Sequence, residues 1–121
     1  MEVVRALLFI ALLHHSFGAE YDANKPITLT GTVTNIEWTN PHSHFFLDVK
    51  DDKGDVEHWS GELTSPYNLT RGGWPMSRSV KELPPGTPIT ITVFPSKAGT
   101  AVGVVSKVLN AKGEEILLGR E

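Results

Sequence analysis

The chain has 121 residues, of which 40% are hydrophobic and 21% charged, and its formal net charge is −3. That is room for one domain with a core of its own and not for two. No block of lysine and arginine interrupts it, so the positive footprint that displaces counterions from nucleic acid is missing, and no polynucleotide partner is expected. Cysteine is absent, which excludes disulfides, thiolate nucleophiles, iron–sulfur clusters and zinc–thiolate sites.

The first residues, Met1–Arg5, carry charge and lead into the apolar run Ala6–Leu13. A charged start with a short apolar stretch fits an export signal and is too short to span a bilayer. Small residues at Ser16 and Gly18 would serve positions −3 and −1 of a cleavage site. Residues 1–18 are therefore expected to be a signal peptide and 19–121 a single domain, secreted or periplasmic, with no membrane span once the signal is removed. A buried N-terminal helix is the alternative.

From Pro26 the texture changes. Ile27–Trp38 alternates apolar and polar residues, with 27, 29 and 33 in one phase and 36 and 38 in the other. Period two over this length predicts a strand with one buried face. The phase slip soon after Gly31 predicts a bulge, the device by which a long strand coils around a small barrel. Asn40-Pro41 then forces a corner. His44–Lys50 follows as a second strand with Phe45, Leu47 and Val49 inward, Asp51–Gly54 as a turn, and Val56–Leu63 as the returning strand. A four-residue loop at 51–54, or a two-residue loop at Lys53-Gly54, would make paired positions sum to an odd number. On that register His58 faces away from His42 and His44.

Ser65-Pro66 reads as a helix start, with serine capping and proline at the first position, and Gly72-Gly73 as its end. Trp74–Arg78 reads as irregular, with Trp74 packed over the barrel end, and Leu83–Pro88 as a loop. Two more alternating strands follow, one through Ile89, Ile91 and Val93 and one over Ala101–Leu109, and Ile116–Leu118 forms a closing stub. Three strands, one short helix and two further strands is the order of the OB-fold, an all-β Greek-key barrel. A β-sandwich is the alternative architecture.

Chemistry concentrates on the histidines. His42 and His44, two residues apart on a strand, project to one face. Two imidazoles so placed can share copper or zinc, with Asp48 or Glu62 as an oxygen ligand. His14 and His15 would add ligands if processing exposed them. A solvated strand edge is the plainer account of the pair. The aromatics Trp38, Phe46 and Trp59 share one side on the register above, the side that OB-folds use as a ligand platform. Alternatively they close the barrel. No nucleophile elbow or phosphate loop marks a hydrolase, and Asn68-Leu69-Thr70 matches a glycosylation sequon, a triplet frequent by chance. Glu57 and Arg71 read as solvated charges.

His14-His15-Ser16-Phe17, the segment Lys25–Val33, Trp38-Thr39-Asn40-Pro41-His42, Ser65-Pro66 with Asn68-Leu69, and Arg71-Gly72-Gly73-Trp74 together resemble the exported bacterial proteins of domain of unknown function 6152. The resemblance runs from His14 almost to the end. It implies a small secreted or periplasmic β protein and brings no activity with it. Leu13 stands where members usually carry alanine before the paired histidines. The reading that follows is a non-enzymatic exported barrel binding a small ligand or a partner protein. A periplasmic copper- or zinc-binding protein is the runner-up, and a hydrolase comes third.

Overall fold

The computed structural model describes residues 20–117. The expected signal segment 1–18, with His14 and His15, lies outside them. The strands are β1 (Ile27–Glu37), β2 (His44–Lys50), β3 (Val56–Glu62), β4 (Pro88–Pro95), β5 (Val102–Leu109) and the stub β6 (Glu115–Ile116). Two short helices, α1 (Pro66–Arg71) and α2 (Met76–Glu82), separate β3 from β4. The sheet order is β3-β2-β1-β4-β5-β6, and a parallel pairing of β3 with β5 closes the first five strands into a barrel. This is the OB-fold connectivity that the element order predicts, and closure rules out the open sandwich.

β1 reaches both halves of the barrel because it bends. Its residues 27–32 pair with β4 and its residues 31–37 with β2, with a register shift between Val33 and Asn35. A Cβ on Gly31 would stand 2.2 Å from the Asp48 carbonyl oxygen, so only glycine permits β2 to lie this close as the strand coils. Inward residues from every barrel strand, among them Val33, Phe45, Leu47, Ile89, Ile91, Val93 and Val108, form one buried cluster.

α1 begins as its sequence dictates. The Ser65 hydroxyl accepts from the Asn68 N–H at 3.2 Å, Pro66 fills the first turn, and Gly73 leaves the helix with φ 92°. The stretch after it is not wholly irregular, as the sequence had suggested: Met76–Glu82 is a second helix. Pro75 opens α2, and Arg78 Nε donates to Glu82 Oε2 at 2.5 Å, one turn along. Two serines and a leading Trp-Pro hide it from propensity. Its signal is the spacing of Met76, Ser79 and Leu83, one face of a helix. Leu69, Trp74 and Leu83 join the barrel core, each contributing roughly 1.5–3 kcal/mol of burial. The Trp74 indole N–H donates to Ser79 Oγ at 2.5 Å, and the Arg78 guanidinium lies 4.2 Å from the Trp74 ring centre.

The β2–β3 hairpin corrects the expected register. Its loop is five residues, 51–55, and paired positions sum to an even number: Lys50 opposite Val56, Asp48 opposite His58, Leu47 opposite Trp59. The cause is local. The Asp51 carboxylate accepts from the N–H groups of Lys53 (2.8 Å) and Asp55 (3.0 Å), Asp51 N–H donates to the Asp55 carbonyl (2.8 Å), and Gly54 takes φ 84°. Holding Asp55 inside the turn shifts every later residue of β3 to the other face. Two expectations fall with that register. His58 lies on the same face as His44, and Trp59 turns inward, 8% exposed, within the core.

Candidate functional site

The histidines stand along the outer face of β2 and β3. The Asn40–Pro41 peptide is cis, and past this corner the chain joins the sheet early: Ser43 N–H donates to the Thr64 carbonyl (3.0 Å) and Leu63 N–H to the Ser43 carbonyl (2.8 Å). Ser43 is buried between the more exposed His42 and His44, so the two histidines share a face as their spacing predicts. His42 Nδ1 lies 2.6 Å from Glu62 Oε1, and His44 stands opposite Glu62 in the ladder while its ring stacks on Phe46 at 6.4 Å between centres. Farther along the same face, His58 Nδ1 lies 2.6 Å from Asp48 Oδ1. These are two separate imidazole–carboxylate pairs with the Phe46–Ser60 rung between them on that face, both open to solvent, His58 most of all, and each worth under about 1 kcal/mol. Among the described residues no three histidine or carboxylate side chains gather closely enough to hold a metal ion.

Tyr21 adds to the Glu62 end of this row. The segment before β1 is tied down where Tyr21 bridges Ser96 and Asp22 N–H donates to the Pro95 carbonyl at 2.9 Å. Burial raises the Tyr21 phenol above the ordinary tyrosine range, and the negative charges of Glu62 and then Glu20 push it the same way.

The expected aromatic platform does not assemble. Phe46 and Trp59 border one shallow depression on the outer face with Glu37, His58 and Ser60, yet Trp59 is a core residue. Trp38 is elsewhere, because the bulge in β1 carries the strand's end toward α2. There it lines a second depression, one without a charged residue.

That second depression is an open groove of about 490 Å³, the size of a small-ligand site. One wall is the end of β1, through Asn35, Ile36 and Trp38; the other is α2 and the loop after it, through Met76, Val80, Leu83 and Pro84. Ser79 and Pro85 complete a lining with no charged residue. Met76 is 53% exposed and Val80 71% exposed, although both are large apolar side chains on one helical face. Solvent-facing apolar side chains contiguous in a concave site mark recognition surfaces. Sequence reasoning singled out only Trp38 here. The missed signal was α2 itself, since Met76 and Val80 become neighbours only once those residues are helical.

Fold and site together define a closed five-stranded β-barrel of OB connectivity, with an uncharged groove between its longest strand and a short helix. Residues 3–106 match the family of unknown function DUF6152, and the chain belongs to that family. No curated protein matches it. No helix among the described residues is long and apolar enough to cross a membrane.

Proposed function

We propose that this chain is a non-enzymatic binding module, exported to the periplasm or beyond the cell, that receives an apolar ligand or apolar protein segment in the groove between β1 and α2. The observation that carries this reading is the groove's lining: Ile36, Trp38, Met76, Val80 and Leu83 around about 490 Å³, without a charge. Covering a side chain of valine or methionine size contributes on the order of 1.5–3 kcal/mol, so covering the whole apolar wall, rather than two or three side chains, is what offsets the cost of association. Export is supported by the charged start and apolar run of residues 1–13. The test is titration with an anilinonaphthalene fluorophore, read by its own emission and by quenching of Trp38. Val80→Glu is expected to weaken binding at least about tenfold by placing a carboxylate in the apolar wall. Binding unchanged by Val80→Glu sinks the reading.

A second reading, copper or zinc at His42 and His44, is supported by the Glu62 contact to His42 Nδ1, since carboxylates orient metal-binding imidazoles in this way. Elemental analysis of the chain after copper or zinc loading, beside the His42→Ala, His44→Ala double variant, decides it. Equal metal content in the two removes it.

A further inference from the structure

One wall of the groove is made of backbone as well as side chains. β1 pairs with β4 only as far as Thr32 opposite Pro88, where β4 begins. The next contacts on that side are the Val33 N–H to the Thr87 carbonyl at 2.9 Å and the Gly86 N–H to the Val33 carbonyl at 2.7 Å. Beyond the bulge, Asn35, Ile36 and Glu37 pair with Phe46, Phe45 and His44 of β2, and their other edge meets no strand among the described residues. In an antiparallel ladder alternate residues direct their N–H and C=O away from the partner strand. The end of β1 therefore presents a short open edge, and two residues of that edge, Asn35 and Ile36, line the apolar groove.

Resting on the binding role proposed above, we propose that the occupant is an extended segment of a partner protein that adds a strand to β1 at Asn35–Glu37 and lays alternate apolar side chains against Met76, Val80 and Leu83. The combination selects this chemistry. A lipid tail or small apolar molecule would cover the side chains and leave the strand edge unbonded; an extended peptide satisfies both. Side chains on an added strand alternate between the two faces. Those on the groove side meet an uncharged wall, so they should be apolar. Those on the other side run beside exposed Glu37, which bears the only charge on this end of β1, so a lysine or arginine complements that position. At about 3.3 Å per residue, the three positions of β1 pair directly with about three residues of the added segment, roughly 10 Å of it.

The probe is a capped seven-residue peptide with valine at alternate positions, threonine between them and one central lysine. Two further peptides carry backbone N-methyl groups, one on the odd positions and one on the even. The expected results are slowed amide exchange within residues 35–37 on adding the unmodified peptide, and affinity at least about tenfold weaker for one N-methylated peptide but not the other. Val80→Glu should weaken the unmodified peptide, and Glu37→Lys should weaken it too while favouring a peptide whose lysine is replaced by glutamate. If both N-methylated peptides bind as tightly as the unmodified one, strand addition is overturned. It is likewise overturned if the fluorophore occupies the groove and the peptide does not. Failure of the fluorophore and the peptide alike would instead remove the binding role on which the inference stands.

Discussion

At the residue scale, two side chains carry consequences beyond their own contacts. Ser79 is buried in α2 and accepts the indole N–H of Trp74, itself 2% exposed. Ser79→Ala would leave that N–H buried and unbonded, a cost of about 1–3 kcal/mol with almost no change in volume. Urea denaturation should show the midpoint fall with an unchanged slope. Tyr21 gives a pH signature. Its phenol is held above the usual range, mainly by burial and secondarily by Glu62 and Glu20. The folded chain therefore keeps this proton to higher pH than the unfolded chain does. The stability it confers is present below an ordinary tyrosine pKa of about 10 and is lost as pH rises through and beyond that value. Thermal melts between neutral and strongly alkaline pH should fall less steeply for Tyr21→Phe than for the parent chain. Parallel curves would show that Tyr21 is not the group responsible. Neither residue stands out in the linear sequence: Ser79 meets Trp74 only once the residues between them turn into α2, and Glu62 reaches Tyr21 from a strand far along the chain.

At the element scale, turn chemistry decided which side chains could meet. The strands themselves were legible from period-two alternation, and the β1 bulge from the phase slip after Gly31. Whether His58 faced His44 depended on one residue in the loop, and the count came from Asp51 rather than from composition. The same device recurs between β5 and β6. Asn110 Oδ1 accepts from the N–H groups of Lys112 and Glu114, both at 3.0 Å, Asn110 N–H donates to the Glu114 carbonyl at 2.9 Å, and Gly113 takes φ 80°. Asp-Asp-Lys-Gly-Asp and Asn-Ala-Lys-Gly-Glu are thus two spellings of one five-residue turn. Replacing residues 51–55 by the 110–114 sequence should leave stability within about 0.5 kcal/mol, since every bonded atom has a counterpart. Asp51→Ala should cost on the order of 1 kcal/mol by removing both side-chain bonds. Amide exchange at Lys53 and Asp55 would report the loss directly. A loop swap that unfolds the hairpin would show that side-chain identity beyond these atoms sets the register.

At the scale of the whole molecule, the barrel exists because β3 and β5 come together in parallel, and two inward glycines hold β5 close to its neighbours, Gly61 on the side of β3 and Gly103 against β4. Strand order was legible because each strand announces itself. The groove was not, since its walls come from β1 and a helix some forty residues later, and the open edge exists only because β4 starts too late to cover it. Closure also gives a test of rank order. A Cβ at Gly103 would meet the Phe94 carbonyl oxygen at 2.9 Å and Val93 Cβ at 3.0 Å, both fixed parts of the neighbouring strand. A Cβ at Gly61 would meet Val105 Cγ2 at 2.6 Å, a nominally closer contact. Distance alone ranks Gly61→Ala as the worse change. Rigidity ranks them the other way: the Val105 side chain is only half buried and can turn aside, whereas β4 backbone can move only by opening the barrel. Gly103→Ala is therefore expected to cost about 1–3 kcal/mol and Gly61→Ala less. Exchange of the amides across β4–β5 should speed up in the Gly103 variant before those of the β1–β2 ladder do. The reverse order, or equal loss in both ladders, would mean that the contact of β4 with Gly103 is not what sets the cost.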